Sequence, residues 1–352
     1  MFVENILKGW ESNMGHNHFT WSGKKILVTG GAGMIGSALV ETLVEKHAVV
    51  TVADNLWRGR KENLLNNGLP IIDFDKHFHQ VDLTDYDNCI TVTRGNDLVF
   101  HLADVVAGID YVFGNQLSLF HNNVVMNSHM LHAAVKTSVP QYVYVGTACS
   151  YPAEKQNIIN PPPFKEEDTY PANPESSYGW SKLMGEYECQ LAEKDGLIEL
   201  GMLRLHNVYG PKSDISSERS QVIPSLIRKA INYPKEEFVV WGSGNQRRAF
   251  VYIDDVIDAA LSVVEQGMGK GVIQIGPDYS VSIREIAEII ASMADKNIKI
   301  QYDTTKREGD VDRCADWSKA KRILNWLPKT SIEVGLKKCY EWYRHCGDEN
   351  LV

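Results

Sequence analysis

The chain has 352 residues, 43% hydrophobic and 23% charged, the balance of an ordinary soluble globular protein. Its 36 Lys and Arg stand against 45 Asp and Glu, a net charge of −9, which argues against a general polyanion binder. No apolar run approaches the roughly 18 residues of a membrane span, which removes a membrane-spanning reading.

Residues 1–21 read as a polar extension. Glu4, Lys8 and Glu11 interrupt any apolar stretch, so an export signal is not expected. The six cysteines are widely spread, with neither a CxxC nor an HExxH pattern. That predicts no disulfide framework, no metal site and a reducing cytoplasm. His129 and His132 lie three apart on a helical pattern, but no third ligand accompanies them, so packing or surface polarity is expected.

Lys25–Thr29 is a short apolar run that stops at glycines, and Met34–Lys46 has helical spacing. Val49–Ala53 is the next strand. Further strands are expected at Asp97–Leu102, Gln141–Val145 and Glu199–Leu205, with helices at Val124–Thr137 and Tyr178–Lys194 between them. This alternation predicts an α/β fold, a parallel sheet covered by helices on both faces, with an interleaved second lobe. The expected division gives residues 22–209 and about 248–277 to the sheet domain. Residues of about 210–247 and 278–352 go to the lobe. Ala249–Ile253 and Val272–Ile275 read as returns to the sheet.

Gly30, Gly33 and Gly36 form a G-x-x-G-x-x-G turn between the first strand and the first helix. A dinucleotide pyrophosphate needs this: a tight turn, a close backbone approach and free N–H groups at the helix start, here Met34 and Ile35. Asp54 ends the second strand and can accept both hydroxyls of an adenosine ribose, which favours NAD over NADP. Arg58, Arg60 and Lys61 follow closely and could instead serve NADP. Asn55, Asp82, Leu83, Leu102 and Ala103 complete the expected cofactor contacts.

Tyr178 and Lys182 lie four apart, on one face of a predicted helix. Free tyrosine has a pKa of about 10, so working as a base near neutrality needs roughly 4 kcal/mol of help, and a nearby ammonium is one source. Thr147, after a strand, offers a hydroxyl to a substrate oxygen.

With the glycine turn, Asp54, Thr147 and Tyr178-x-x-x-Lys182 in this order, the sequence resembles an extended short-chain dehydrogenase/reductase of the nucleotide-sugar epimerase/dehydratase kind. The likeness runs from Lys24 to about Trp342. It includes Arg204-x-x-Asn207-Val-Tyr-Gly-Pro211, Trp241–Arg248, Phe250–Asp255 and Arg307-Glu-Gly-Asp-x-x-Arg313. The resemblance implies a Rossmann-type doubly wound parallel sheet with a smaller, interleaved C-terminal α/β substrate lobe, and a tightly held NAD that oxidises a sugar hydroxyl, usually at C4. It implies Tyr178 as base, Lys182 as its partner on the nicotinamide ribose, and Thr147 as hydroxyl helper. It also implies substrate contacts at Asn207, Arg219, Arg248 and Arg313, and a homodimer through helices 124–137 and 178–194.

The loop Thr147-Ala148-Cys149-Ser150-Tyr151 lacks the Asp-Glu pair that family 4,6-dehydratases carry after the Thr. Cys149 there resembles the GDP-mannose 3,5-epimerases, in which a Cys and a Lys exchange protons at C3 and C5 of a 4-keto sugar. Two departures stand out: Ser216 takes the place of that Lys, and Asp104 replaces a small apolar residue. The expected function is C4 oxidation of a GDP-manno-configured sugar followed by 3,5-epimerisation. The alternatives are a GDP-mannoheptose C4 dehydrogenase that stops at the 4-keto product, a UDP-sugar 4-epimerase, and a non-catalytic NAD-sensing scaffold.

Overall fold

The computed structural model describes residues 19–215 and 219–347. Seven parallel strands form the central sheet: β1 (Lys25–Thr29), β2 (Val49–Ala53), β3 (Phe78–His79), β4 (Leu98–His101), β5 (Gln141–Thr147), β6 (Glu199–Leu205) and β7 (Val272–Ile275). Their order is β7-β6-β5-β4-β1-β2-β3. The chain therefore starts mid-sheet, runs outward through β2 and β3, then crosses back to β4. The crevice beyond the ends of β1 and β4 is the switch point where such sheets bind ligands.

Strand side chains alternate between two buried faces. Ile26, Val28, Val143 and Val145 enter one apolar cluster, and Leu27, Tyr142 and Tyr144 enter the other. Helix α1 (Met34–Glu45) and the helix Ile253–Ser262 cover the first face. Helices α2 (Tyr86–Thr93), α3 (Gln116–Lys136) and α4 (Ser177–Lys194) cover the second. Leu39 and Leu43 of α1 are fully buried, and a side chain of that size contributes roughly 1.5–3 kcal/mol on burial.

After Tyr209 the chain builds a smaller layer from helices Val222–Asn232, Ile283–Met293 and Ile332–Gly347. A parallel strand pair, Val239–Trp241 with Gln301–Asp303, lies among them. Their apolar sides share one continuous cluster with the α1 face of the sheet. The ceiling of the β1–β4 crevice is thus tied to its floor.

Three sequence expectations change. Phe250–Tyr252 does not return to the main sheet; it pairs with Asn207–Tyr209 in a separate parallel ribbon, while Val272–Ile275 does return as β7. Helix α3 starts at Gln116 rather than Val124, because the buried Asn123 and Asn127 interrupt its apolar pattern. Trp21, assigned to the extension, is buried beside Phe19 and donates its indole N–H to Glu265 at 2.8 Å. Residues 1–18 lie outside the described residues.

One buried ion pair locks α4 to the sheet. Arg204 of β6 donates to Glu186 of α4 and to the Thr169 hydroxyl at 2.6 Å, and its guanidinium stacks 4.9 Å from the Tyr151 ring. Removing one partner of such a pair costs about 3–5 kcal/mol, because the other charge is left buried alone. This pair holds the helix that carries Tyr178.

Candidate active site

A cavity of about 720 Å³ opens at the β1–β4 crevice and runs beneath the smaller layer to Arg248 and Arg313. Its first half is the glycine turn. A Cβ on Gly36 would stand 2.2 Å from the Gly30 carbonyl oxygen, so the turn closes only with glycine there. Gly33 caps α1 without a side-chain bond, which leaves the helix N–H groups facing the cavity along Met34 and Ile35. Asp54 ends β2, and its two oxygens accept N–H bonds from Ala32 at 3.0 Å and Leu56 at 2.8 Å. Burial raises its pKa, and those two bonds partly offset the rise. Asn55, Leu83, Leu102 and Ala103 line the same wall.

These residues fit a dinucleotide: a cradle that a Cβ would fill, a free helix start, and a fixed carboxylate beyond it. Gly36→Ala should therefore weaken NAD. An overpacked contact costs about 1–3 kcal/mol, or roughly 5- to 150-fold in the dissociation constant. NAD titration followed by tryptophan fluorescence measures it, and unchanged affinity would contradict this assignment.

Thr147 ends β5 and accepts the Cys149 N–H at 3.2 Å, which starts the tight turn Ala148–Ser150. Against this turn lies the first turn of α4, capped by Ser176, whose hydroxyl accepts the Gly179 N–H at 3.2 Å. A Cβ on Gly179 would meet the Cys149 carbonyl oxygen at 2.2 Å. This close approach brings Thr147, Cys149 and Tyr178 to one cavity wall. Lys182 lies beneath Tyr178, fully buried, with its ammonium 4.7 Å from the Tyr144 ring centre and 3.8 Å from Asp104. Burial lowers the Lys182 pKa, and Asp104 works against that fall.

At the far end, Arg313 donates to Asp310 at 2.7 Å, to Asn207 at 3.3 Å and towards the Cys149 sulfur at 3.5 Å. Arg248 donates to the Asp310 carbonyl at 2.6 Å, and burial beside Arg313 brings its pKa down to about 10. Asn207, Arg248 and Arg313 all line the cavity. Forked donors of this kind suit phosphate oxygens.

Three expected site residues do not line it among those described. Asp82 accepts from the Thr84 N–H and hydroxyl at 2.9 and 2.8 Å, so its carboxylate closes its own turn. Lys182 acts from below the wall. Arg219 donates to the Trp57 carbonyl and stacks 5.4 Å from its ring, so its guanidinium holds the loop after β2 instead of facing the pocket. Ser216 lies outside the described residues. His129 meets the Thr84 carbonyl at 3.0 Å and His132 meets Glu188 at 3.1 Å.

The structure adds residues that spacing did not reveal. Glu175, an exposed residue three before Tyr178, stands beside Asp310, and partial desolvation together with that carboxyl raises its pKa to about 7. Arg58 donates to the Val106 carbonyl at 3.0 Å and faces Asp104 and Asp214, away from a role at a ribose phosphate. Asp104 accepts the Tyr178 hydroxyl at 2.9 Å. The only sequence signal was that Asp104 is an unusual residue for its place.

The model of the NAD-dependent epimerase/dehydratase family matches residues 26–276. GDP-mannose 3,5-epimerase 1 of Oryza sativa subsp. japonica is 33% identical over 326 residues, covering 92% of this chain and 83% of that protein. UDP-glucose 4-epimerase of Thermotoga maritima, solved with UDP-glucose, superposes with a TM-score of 0.80 at 28% identity, covering 92% of this chain and 99% of that one. UDP-glucose 4-epimerase of Thermus thermophilus, solved with NAD, has a TM-score of 0.77 at 25% identity and covers 91% and 99%. No described helix is long and apolar enough to cross a membrane. The glycine cradle, Tyr178 on the cavity wall above the buried Lys182, and these likenesses agree: the chain belongs to the NAD-dependent epimerase/dehydratase family, as an extended short-chain dehydrogenase/reductase acting on nucleotide sugars.

Proposed function

We propose that the protein oxidises C4 of a GDP-manno-configured sugar to a 4-keto species and then exchanges protons at C3 and C5. The observation that carries this is Cys149: its thiol shares one cavity wall with Tyr178 and lies 3.5 Å from the Arg313 guanidinium. NAD, when bound, accepts hydride from the sugar carbon. The chain's own residues do the rest. Gly30, Gly33 and Gly36 with the start of α1 hold the pyrophosphate, and Asp54 holds the adenosine ribose. Thr147 and Tyr178 hold the reacting hydroxyl, while Arg248, Arg313 and Asn207 hold the sugar's diphosphate.

A 4-keto group acidifies the neighbouring C–H bonds, so a thiolate can remove those protons. Arg313 is placed to pair with that thiolate. Glu175, whose pKa is raised by partial desolvation and by Asp310, lines the same cavity and offers an acid in a chain that has Ser216 in place of the family's Lys. Incubation with GDP-mannose in heavy water tests the reading. Deuterium at C3 and C5, read by proton NMR, supports it.

That same Ser216 favours a second reading, in which a GDP-mannoheptose is oxidised and leaves as the 4-keto product. Bound NADH and a ketone without deuterium would select it.

A homodimer through α3 and α4 belongs to the same proposal. These helices lie side by side, and α4 exposes Met184, Tyr187 and Leu191 at helical spacing. Sedimentation should give twice the chain mass, and a monomer at micromolar concentration would reject it.

A further inference from the structure

Asp104 is clamped from both sides. On one flank, the N–H groups of Leu102 and Ala103 donate to the Thr29 hydroxyl oxygen at 3.1 Å each. Thr29 in turn meets the His101 ring at 2.8 Å, and the other ring nitrogen meets Asn127 at 3.0 Å. Burial, with Lys182 nearby, pushes the His101 pKa down to about 3, so this ring stays neutral and serves as a fixed strut. On the other flank, the Asn123 side chain accepts from the Val105 N–H at 2.7 Å and donates to its carbonyl at 3.1 Å. The carboxylate between them lines the cavity with a side chain only 15% exposed.

One oxygen of Asp104 serves both catalytic partners. It accepts the Tyr178 hydroxyl at 2.9 Å and lies 3.8 Å from the Lys182 ammonium. A Tyr–Lys pair alone makes a base by drawing the phenol towards its anion. Here the ammonium's charge is shared with a carboxylate, and that carboxylate opposes a second negative charge on Tyr178. Burial and Asp104 both hold the phenol protonated. The other charged or titratable groups facing Asp104 are Arg58, from the loop after β2, and Tyr144 of β5.

We propose that Asp104 is the terminal proton acceptor of the oxidation step, with Tyr178 acting as a neutral relay between the sugar hydroxyl and the carboxylate. The inference rests on the C4-oxidation reading. The sugar C4–H bond breaks, and the hydrogen leaves with the bonding pair as a hydride that bound NAD would accept. The sugar O–H bond breaks, and its proton passes to the Tyr178 oxygen as the Tyr178 proton passes to Asp104. The products are the ketone, NADH and the Asp104 carboxylic acid, which releases its proton to water through the cavity.

Two measurements on the NAD-bound enzyme test this. In the first, the protein carries ¹³Cζ-tyrosine, and the Tyr178 signal is assigned by its loss in Tyr178→Phe. Wild-type Tyr178 should stay protonated beyond its ordinary pKa of about 10, and Asp104→Asn should lower its ionisation by about one pH unit or more. Asp104→Ala, which removes the hydrogen bond altogether, should repeat the shift. A wild-type signal that titrates near neutrality, or one unmoved in both variants, overturns the proposal.

In the second, NADH formation is followed by rapid mixing with GDP-mannose. The wild-type rate should be flat between about pH 7 and 9. The Asp104→Asn rate should fall about 100-fold at neutrality and climb roughly tenfold per pH unit. Parallel profiles overturn the proposal. Should GDP-mannose, a GDP-mannoheptose and UDP-glucose all fail to give NADH while the tyrosine shift is seen, the substrate reading falls and the Asp104–Tyr178 coupling stands.

Discussion

Tyr178→Phe should abolish enzyme-bound NADH formation on every nucleotide-sugar substrate while leaving NAD binding intact. The phenol oxygen lies on the cavity wall and donates to Asp104 at 2.9 Å, with the Lys182 ammonium 3.8 Å from the same carboxylate oxygen. Without it the sugar hydroxyl loses the group placed to take its proton. Loss of a positioned acid or base costs typically 10²- to 10⁴-fold, and the relay makes the upper end of that range the expectation. The substitution is mild for the fold, since Gly179 and the Ser176 cap set the backbone there. NAD affinity near the wild-type value, with NADH absorbance lost, is the expected pair of results. Normal turnover in this variant would refute the mechanism.

Cys149→Ala should separate oxidation from epimerisation. In heavy water, deuterium incorporation at C3 and C5 should fall by at least about 100-fold, because alanine cannot carry a proton. NADH formation should persist, since the hydride step uses Tyr178 and Thr147. The turn itself should survive: Thr147 bonds the backbone N–H of residue 149, not its thiol. Arg313 keeps Asp310 and Asn207 as partners. Undiminished exchange in the variant would assign the proton traffic elsewhere, with Glu175 the next group to replace.

What the sequence made legible was local. The glycine turn, Asp54 and the Tyr178–Lys182 spacing each sit within one turn or one helix, and the chemistry that needs them can be read from residue type and spacing. All except Lys182 then line one cavity. The alternation of strands and helices likewise gave six of the seven strands of the sheet, including the return of Val272–Ile275, but not the two-residue β3.

What spacing could not supply was pairing across long stretches of chain. Asp104 meets Tyr178 across 74 residues, and Arg313 reaches Cys149 across 164. Glu175 finds Asp310 only because the smaller layer folds over the crevice. The apolar run 249–253 misled for the same reason: its composition fits any strand, and only the presence of Asn207–Tyr209 as a neighbour decides which ribbon it joins. The resemblance implied a substrate contact for Arg219, and its guanidinium here engages the Trp57 carbonyl and ring.

The central claim is that this cavity oxidises C4 of a nucleotide sugar. The most direct measurement uses GDP-mannose carrying deuterium at C4, mixed in excess with the enzyme–NAD complex and quenched in acid during the first turnover. Mass spectrometry of the released nicotinamide cofactor then reads the transfer. The account predicts a reduced cofactor heavier by one deuterium, absent in Tyr178→Phe. Label retained wholly on the sugar at every quench time, with product nonetheless formed, would contradict it.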